Sequence, residues 1–534
     1  MNPLVLKPLR VCLAIAFFMG TALLFLDIWD TGVRLLAGKL LFLQFVPSLL
    51  KFMNHAAVGA AGFMVVLGIT LIFGRIYCSA ICPLGIFQDL ISRMFSKKSA
   101  SAGKQTKNPG FNYSPPRNIL RYSILLATLL FFAAGTTLVV NLLDPFSSFG
   151  RIMTHLFHPV VIFLNNAGVS LAETLGNHAL FRVNLPAAAP LSFGIALASV
   201  MLIGWMSARH GRLYCNTLCL VGTLLGLVSK FSIVRIGILT DSCRSCGTCR
   251  QVCKAGCIDV KTKQVDVSRC VACFNCLSVC PDQAMVYRSR FSKNLPLPSH
   301  KNTARNRRGF MLTLAAGSLG IAAGRVNAAP NSPPIQARPT TIAENKTCPL
   351  SPPGSMGIER YTSICTACHL CVSACPSGLL TPSVVAFGLS NTMQPQMNFN
   401  RGHCNFDCTV CSNICPSGAI LPLTIAQKQQ TQVGVAKFIK ENCVVYTDNT
   451  NCGACSEHCP TKAVTMVPYI NAAGQNLVIP KMNESICVGC GGCEHACPTR
   501  PYKAIYVDGN LVHKTAEKPQ EKKLEQDTSQ DFPF

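Results

Sequence analysis

Apolar positions crowd the first part of the chain in long runs rather than in one-sided stripes. Four runs, at 11–26, 57–73, 119–143 and 191–206, approach the roughly 20 residues a helix needs to cross a hydrocarbon layer and predict four spans. Two shorter runs, 35–50 interrupted by Pro47 and 156–164 interrupted by Pro159, read as interfacial or re-entrant segments. Beyond about position 235 the runs stop and closely spaced cysteines take over.

Basic residues orient these spans. Arg93, Lys97, Lys98, Lys104, Lys107, Arg117 and Arg121 form a stretch without a single acid between the second and third runs, which marks that loop as cytoplasmic. Arg209, Arg212, Lys230 and Arg235 agree, so the amino terminus is expected inside and the chain returns inside after the fourth crossing.

The same region repeats itself. Gly74-Arg75-Ile76-Tyr77-Cys78 with Cys82 follows the second run, and Gly211-Arg212-Leu213-Tyr214-Cys215 with Cys219 follows the fourth, a parallel duplication. On one helix a four-residue spacing puts both sulfurs on one face, so four thiols are expected to meet at the cytoplasmic boundary as redox or metal ligands. Packing as small buried hydrophobes is the plainer alternative and accounts for isolated Cys12. The repeats differ at Leu220, which stands where the first has Pro83.

Composition supports a chain partly in lipid: 49% of its 534 residues are hydrophobic and 13% charged. Its 31 cysteines lie in tight groups that suit metal ligation better than a disulfide framework. The formal charge of +25 suggests nucleic acid until the cysteines are counted as ligands, since each four-thiolate cubane adds roughly −2. With no basic stripe interleaved with aromatics, nucleic acid is discarded.

Cys243, Cys246, Cys249 and Cys253, then Cys270, Cys273, Cys276 and Cys280, follow the CxxCxxCxxxC spacing of bacterial two-cluster ferredoxins. In that arrangement the fourth cysteine serves the other cluster, pairing Cys280 with the first triplet and Cys253 with the second. Zinc is the rival, but its tetrahedral sites favour separated CxxC pairs. Cys257 follows Cys253 by four residues and could exchange with it as ligand.

Four further quartets follow: Cys365, Cys368, Cys371 and Cys375; Cys404, Cys408, Cys411 and Cys415; Cys443, Cys452, Cys455 and Cys459; and Cys487, Cys490, Cys493 and Cys497. The outer two are regularly spaced and the inner two are not. That suggests one ferredoxin nested in another, the first quartet exchanging its last cysteine with the fourth and the second with the third. Cys404, Cys408 and Cys411 also spell a radical-SAM pattern, but Cys415 supplies a fourth ligand where that chemistry needs an open iron. Cys348 stands alone and reads as structural.

Between the two groups, Arg307-Arg308 precedes about 15 apolar residues, short for a span and suited to a signal h-region. It resembles an internal twin-arginine export signal, with an ordinary fifth span as the alternative. Either puts the later quartets outside the cell membrane. The expected organisation is multi-domain: an α-helical membrane domain at 1–235, a cytoplasmic two-cluster α+β bacterial-type ferredoxin module at 236–290, a basic linker with the signal or anchor at 291–344, a periplasmic four-cluster α+β module at 345–512 and a disordered tail at 513–534.

With Cys78/Cys82, Cys215/Cys219 and the six quartets in hand, the first half resembles NapH and the second NapG, ferredoxin-type components of quinol dehydrogenation in periplasmic nitrate reduction, here in one chain. Leu220 is the clearest departure. The resemblance implies six [4Fe-4S] clusters, quinol from the membrane quinone pool as substrate, and a periplasmic reductase or cytochrome as acceptor, with a soluble cytoplasmic donor as a further partner. The membrane half also resembles copper-handling assembly factors, so a redox assembly or maintenance role is the alternative. His155 and His158, expected in an outer loop near Asp144 and Arg151, are candidates for exchanging protons with a quinol.

Overall fold

The computed structural model describes residues 3–28, 32, 36–55, 61–100, 111–176, 178–183, 190–291, 340–471 and 473–518. The twin-arginine segment lies outside them, as do most of the basic linker and residues 519–534 of the expected tail.

Three helices, Val5–Leu26, Pro145–Thr174 and Pro190–His210, are long and apolar enough to cross a membrane. Two answer to the expected runs 11–26 and 191–206. Among the described residues the other two expected spans are made of shorter helices. Gly62–Phe73 is a 12-residue helix, about 18 Å long and short of a hydrocarbon layer of roughly 30 Å. Run 119–143 divides into Asn118–Ala133 and Leu138–Leu143, separated at Gly135, whose φ of 79° ends the first helix in a left-handed turn.

The run at 156–164 is corrected in the opposite direction, because it lies within the long helix Pro145–Thr174 rather than re-entering. Pro145–Ile152 continues through a π-helical turn, Met153–Phe157, into His158–Thr174. Pro159 falls in the first turn of that last piece, and the wide π turn before it accommodates a residue that lacks an N–H.

The first helix, Pro3–Leu26, has 24 residues, roughly 36 Å of rise. Its start touches the first ferredoxin module, with Leu6 in that module's core and Lys7 Nζ donating to Ser278 Oγ at 3.1 Å. Near its end, Phe25 packs on Phe146 and Phe149 beneath the second module. The two modules therefore sit at opposite ends of the helical domain. The described end of the basic loop, from Phe111, lies with the first module: Phe111 N donates to Gln251 O and Arg269 Nη1 to Ser114 O.

Both modules are small α+β units of antiparallel strand pairs and one-turn helices. Val234–Ile238 pairs with Met285–Ser289 in the first module. In the second, Leu380–Pro382 pairs with Pro395–Met397, Val464–Ile470 with Asn476–Met482, and Thr431–Phe438 with Ile505–Thr515. That last pairing moves the expected module boundary at 512. Thr515 is opposite Thr431, and Ala516 N donates to Gln430 O, so residues up to 518 are part of the packed module.

One buried apolar core runs through the helical domain into the second module. It includes Phe25, Phe87, Phe149 and Tyr214 and continues through Tyr361, Ile364 and Leu370.

Candidate functional site

The cysteine loops owe their shape to backbone that turns left-handed on both sides of the middle cysteine. Ser245 and Gly247 flank Cys246, Ala272 and Phe274 flank Cys273, Ala367 and His369 flank Cys368, and Gly489 and Gly491 flank Cys490, all at positive φ. Alanine, phenylalanine and histidine hold that conformation only where the surroundings compel it. The reversal wraps the three thiols of each regular triplet around a common centre.

In the first module Cys280 joins Cys243, Cys246 and Cys249 around one cavity, and Cys253 joins Cys270, Cys273 and Cys276 around the other. Cys257 lines the second cavity as well, its Sγ 3.6 Å from that of Cys253.

The nested pairing expected for the second module is overturned. Cys375, from the first quartet, lines a cavity with Cys404, Cys408 and Cys411, while Cys415 is the electrostatic neighbour of Cys365, Cys368 and Cys371. Cys497 lines a cavity with Cys443, Cys452 and Cys455, and Cys459 neighbours Cys487, Cys490 and Cys493. Exchange is between consecutive quartets. A short strand pair joins the partners in each case, which keeps the closing loops small and their entropic cost low.

These four sites form a row. Cys371 and Cys411 connect the first to the second, Cys404 N donates to Cys490 O at 2.9 Å to reach the fourth triplet, and Cys493 neighbours Cys455 of the third. The site with Cys365, Cys368, Cys371 and Cys415 stands against the helical domain. There Arg151 Nη1 donates to Ala367 O at 3.4 Å, and a Cβ on Gly150 would come within 2.3 Å of Cys368 O.

At this contact His155 Nε2 and His369 Nδ1 lie 2.7 Å apart. His369 Nε2 faces the Met393 carbonyl at 2.8 Å and must donate to it, so His369 Nδ1 accepts from His155. Burial and the adjacent His155 hold the His369 pKa well below the ordinary histidine range. His155 is thus on a helix and against a ferredoxin loop, not in the outer loop expected. His158, one turn on, is buried without such a bridge in the described structure. Sequence reasoning missed His369; its place between Cys368 and Cys371 was visible, but its partner was not.

Cys78, Cys82, Cys215 and Cys219 are all buried. Each of the six pairs among them is close enough to interact electrostatically, so the four thiols do converge. They do so by a different route from the one expected. Cys78 and Cys215 lie in the short helices Tyr77–Ala80 and Leu213–Thr217, whereas Cys82 and Cys219 start the next helices. Cys219 Sγ caps its helix by accepting from Gly222 N at 3.3 Å. Each pair straddles a helix break rather than sharing one helix face.

The repeats clasp each other. Arg75 Nη2 donates to Cys215 O at 3.2 Å and Arg212 Nη1 to Cys78 O at 2.6 Å. Gly85 and Gly222 leave room for this: a Cβ would lie 2.5 Å from Arg212 Nη1 at the one and 3.0 Å from Arg75 Nη2 at the other. Arg212 also pairs with buried Asp89 at 2.9 Å, which Lys254 of the first module approaches at 3.3 Å. Cys12 is exposed, and Cys348 is buried, its Sγ toward the Pro349 carbonyl.

Residues 56–100 and 192–238 match a family described as 4Fe-4S binding domain, and residues 364–420 and 450–500 match two families described as 4Fe-4S dicluster domain. The ferredoxin-type protein NapH of Escherichia coli is 24% identical over 44% of this chain and 70% of its own. The chain is related to the NapH-type ferredoxin proteins. The ferredoxin-type protein NapF of Escherichia coli is 28% identical over 30% of this chain and 85% of its own. YccM of Escherichia coli, named as a candidate electron transport protein, is 26% identical over 46% of this chain; the match spans 58% of YccM. No solved structure matches.

The chain carries 4Fe-4S binding domains beside apolar helices long enough to cross a membrane. The cysteine-lined cavities and strained loops fit [4Fe-4S] clusters, which would supply one-electron carriers where the cysteines held them.

Proposed function

We propose that the chain is a NapH-like and a NapG-like protein in one polypeptide, which oxidises quinol from the membrane pool and passes the electrons through six [4Fe-4S] clusters to a periplasmic reductase or cytochrome. The observation that carries this reading is the His155–His369 bridge, which links a membrane-domain helix to the loop holding Cys368 and Cys371.

Quinol oxidation releases two electrons and two protons, so its site needs a proton acceptor beside an electron acceptor. In the neutral pair His155 donates from Nε2, which leaves its Nδ1 able to accept a proton. Arg151 and Thr154, donating to the Ala367 and His369 carbonyls, hold the cysteine loop against that histidine. The π turn at Met153–Phe157, a distortion frequent at functional sites, sets its direction. Electrons entering there meet the row of four sites at its membrane end. On this reading the second module and its acceptor are periplasmic and the first module is cytoplasmic, open to a soluble donor.

The test is anaerobic mixing of the cluster-loaded chain in detergent with menaquinol and ubiquinol analogues, following cluster bleaching by absorbance and EPR. Wild type is expected to bleach. His155→Phe is expected to lose reduction by quinol and keep reduction by dithionite. Reduction of wild type by dithionite alone would defeat the reading and favour a redox assembly factor.

A further inference from the structure

Between Arg360 and Arg401 the chain carries no Asp, Glu, Lys or Arg. Part of this stretch is the cysteine loop seated on the helical domain. The rest includes 383–394, the turn between the strands Leu380–Pro382 and Pro395–Met397, and it leaves apolar side chains in the open. Val385 is 67% and Leu389 70% exposed, with Val384 exposed beside them.

The fold fixes that exposure. Phe387 is buried against Tyr361, with ring centroids 5.5 Å apart. Ala386 N donates to Ser383 Oγ at 2.9 Å, Gly388 N to Val385 O at 2.9 Å, and Thr392 Oγ1 to Val384 O at 3.2 Å. With these bonds made, Val385 and Leu389 have no way to turn inward.

The position of the turn decides what it meets. Ser192 Oγ donates to Met393 Sδ at 3.9 Å and Gln394 Nε2 to Thr137 Oγ1 at 3.3 Å, both contacts being buried. Ser192 belongs to the helix Pro190–His210, long and apolar enough to cross a membrane, and its neighbours Leu191 and Phe193 are exposed. Arg209 and His210 close the far end of that helix. The rise from Arg209 to Ser192 is about 26 Å, close to a hydrocarbon thickness of roughly 30 Å. With Arg209 at one polar boundary, the turn stands where acyl chains give way to headgroups at the other.

Single exposed apolar residues are ordinary on protein surfaces. Ile470, 67% exposed in the strand pair that joins the third and fourth quartets, is one of them. Val384, Val385 and Leu389 differ because they cluster in one turn, have no charged residue near them in sequence and adjoin the end of a crossing helix. Lipid that covers Leu191 and Phe193 reaches this turn without any further partner.

We propose that 384–389 of the second module dips into the bilayer boundary on that module's side, so that lipid covers Val384, Val385 and Leu389. Interfacial apolar groups of this kind enter roughly 5–10 Å into the headgroup and acyl boundary. The module then rests on the membrane as well as on the helices. Because His369 Nε2 donates to Met393 O at 2.8 Å, the same turn holds the loop of Cys368 at the level of the lipid boundary. The inference rests on the helical domain crossing a membrane but not on quinol being the substrate.

The test places the photoreactive residue p-benzoylphenylalanine at Val385, Leu389, Leu197 or Ile470, one position at a time, in the cluster-loaded full chain. Each chain is set in phosphatidylcholine nanodiscs and irradiated, and lipid adducts are counted by mass spectrometry, with cluster absorbance as the check on folding. Leu197, exposed on the crossing helix, is the positive control; Ile470, as exposed as Val385, is the negative one. Val385 and Leu389 are expected to take lipid within about threefold of Leu197 and about tenfold above Ile470. Adducts at Leu197 with no excess over Ile470 at the two turn positions overturn the proposal and leave the crossing helix standing. Absence of adducts at Leu197 as well overturns the membrane setting on which it rests. Crosslinks from Val385 to a second copy of the chain in place of lipid overturn it in favour of a self-contact.

Discussion

Arg212 donates from Nη1 to the carbonyl oxygen of Cys78 at 2.6 Å, across 134 residues of sequence. Arg75 returns the contact to Cys215 in the other repeat. The arginine that precedes each thiol pair thus serves the opposite pair, and neither repeat completes its own surroundings.

Asp89 is the counter-charge of this clasp, facing Arg212 at 2.9 Å, Lys254 at 3.3 Å and Arg10 at 3.8 Å. Asp89→Ala leaves three buried cations without their anion, a loss on the order of 3–5 kcal/mol. A clear drop in melting temperature is expected in detergent by differential scanning fluorimetry, with the first module loosened as well, because Lys254 belongs to it.

Consecutive exchange in the second module makes a prediction about double variants. Cys365→Ser/Cys415→Ser removes two ligands of one site and is expected to cost one cluster, about four irons. Cys365→Ser/Cys497→Ser strikes two sites and is expected to cost about eight. Nested exchange would reverse the two results, and iron analysis separates them.

Cys257 stands ready beside Cys253. With the two sulfurs 3.6 Å apart, Cys253→Ser is expected to keep its cluster with a shifted EPR signal. The Cys253→Ser/Cys257→Ser chain is expected to lose it. Iron loss in the single variant equal to that in the double would show that Cys257 does not substitute.

At Gly150 the helical domain packs directly against the second module. An added Cβ would lie 2.3 Å from the Cys368 carbonyl and 2.8 Å from the Phe25 ring, neither of which has room to retreat. Gly150→Ala is expected to push the module off its seat, slowing reduction by quinol several-fold and exposing the contact to limited proteolysis while the cluster count holds.

His513 gives the second module a pH dependence. Burial lowers its pKa from 6.5 to about 4, with Ser351 Oγ 3.0 Å from its Nε2. The unfolded chain takes up the proton first, so this contribution to stability is complete above about pH 6.5 and falls as the pH drops toward 4. Thermal melts between these values are expected to show a smaller decline in His513→Gln, measured where the clusters remain bound by absorbance.

Much of this was legible because local chemistry demanded it. CxxCxxCxxxC spacing announces a loop around a cluster wherever it occurs, and the exchange of Cys253 and Cys280 follows from two such loops in tandem. The relation to NapH was readable for the same reason, as was the duplication of Gly-Arg-x-Tyr-Cys. Apolar runs were less reliable guides, since hydropathy does not register where Gly135 interrupts a helix or how a π turn carries one past Pro159. A run of suitable length therefore proved to be two short helices, and a broken one proved continuous.

Spacing within a quartet does not state which other quartet lies beside it, and so the exchange partners of Cys375, Cys415, Cys459 and Cys497 were decided by strand pairs and loop closure. Long-range contacts were hidden for the same reason. His155 and His369 are 214 residues apart and meet only because a membrane helix seats a ferredoxin loop. The chain alone pointed to the cysteines that are candidate cluster ligands and to the part of it apolar enough for lipid, because residue spacing and apolar length are local properties. Tertiary packing decided the order of the sites, the histidine bridge and the convergence of four thiols under two exchanged arginines, because each depends on the path of the backbone between distant segments.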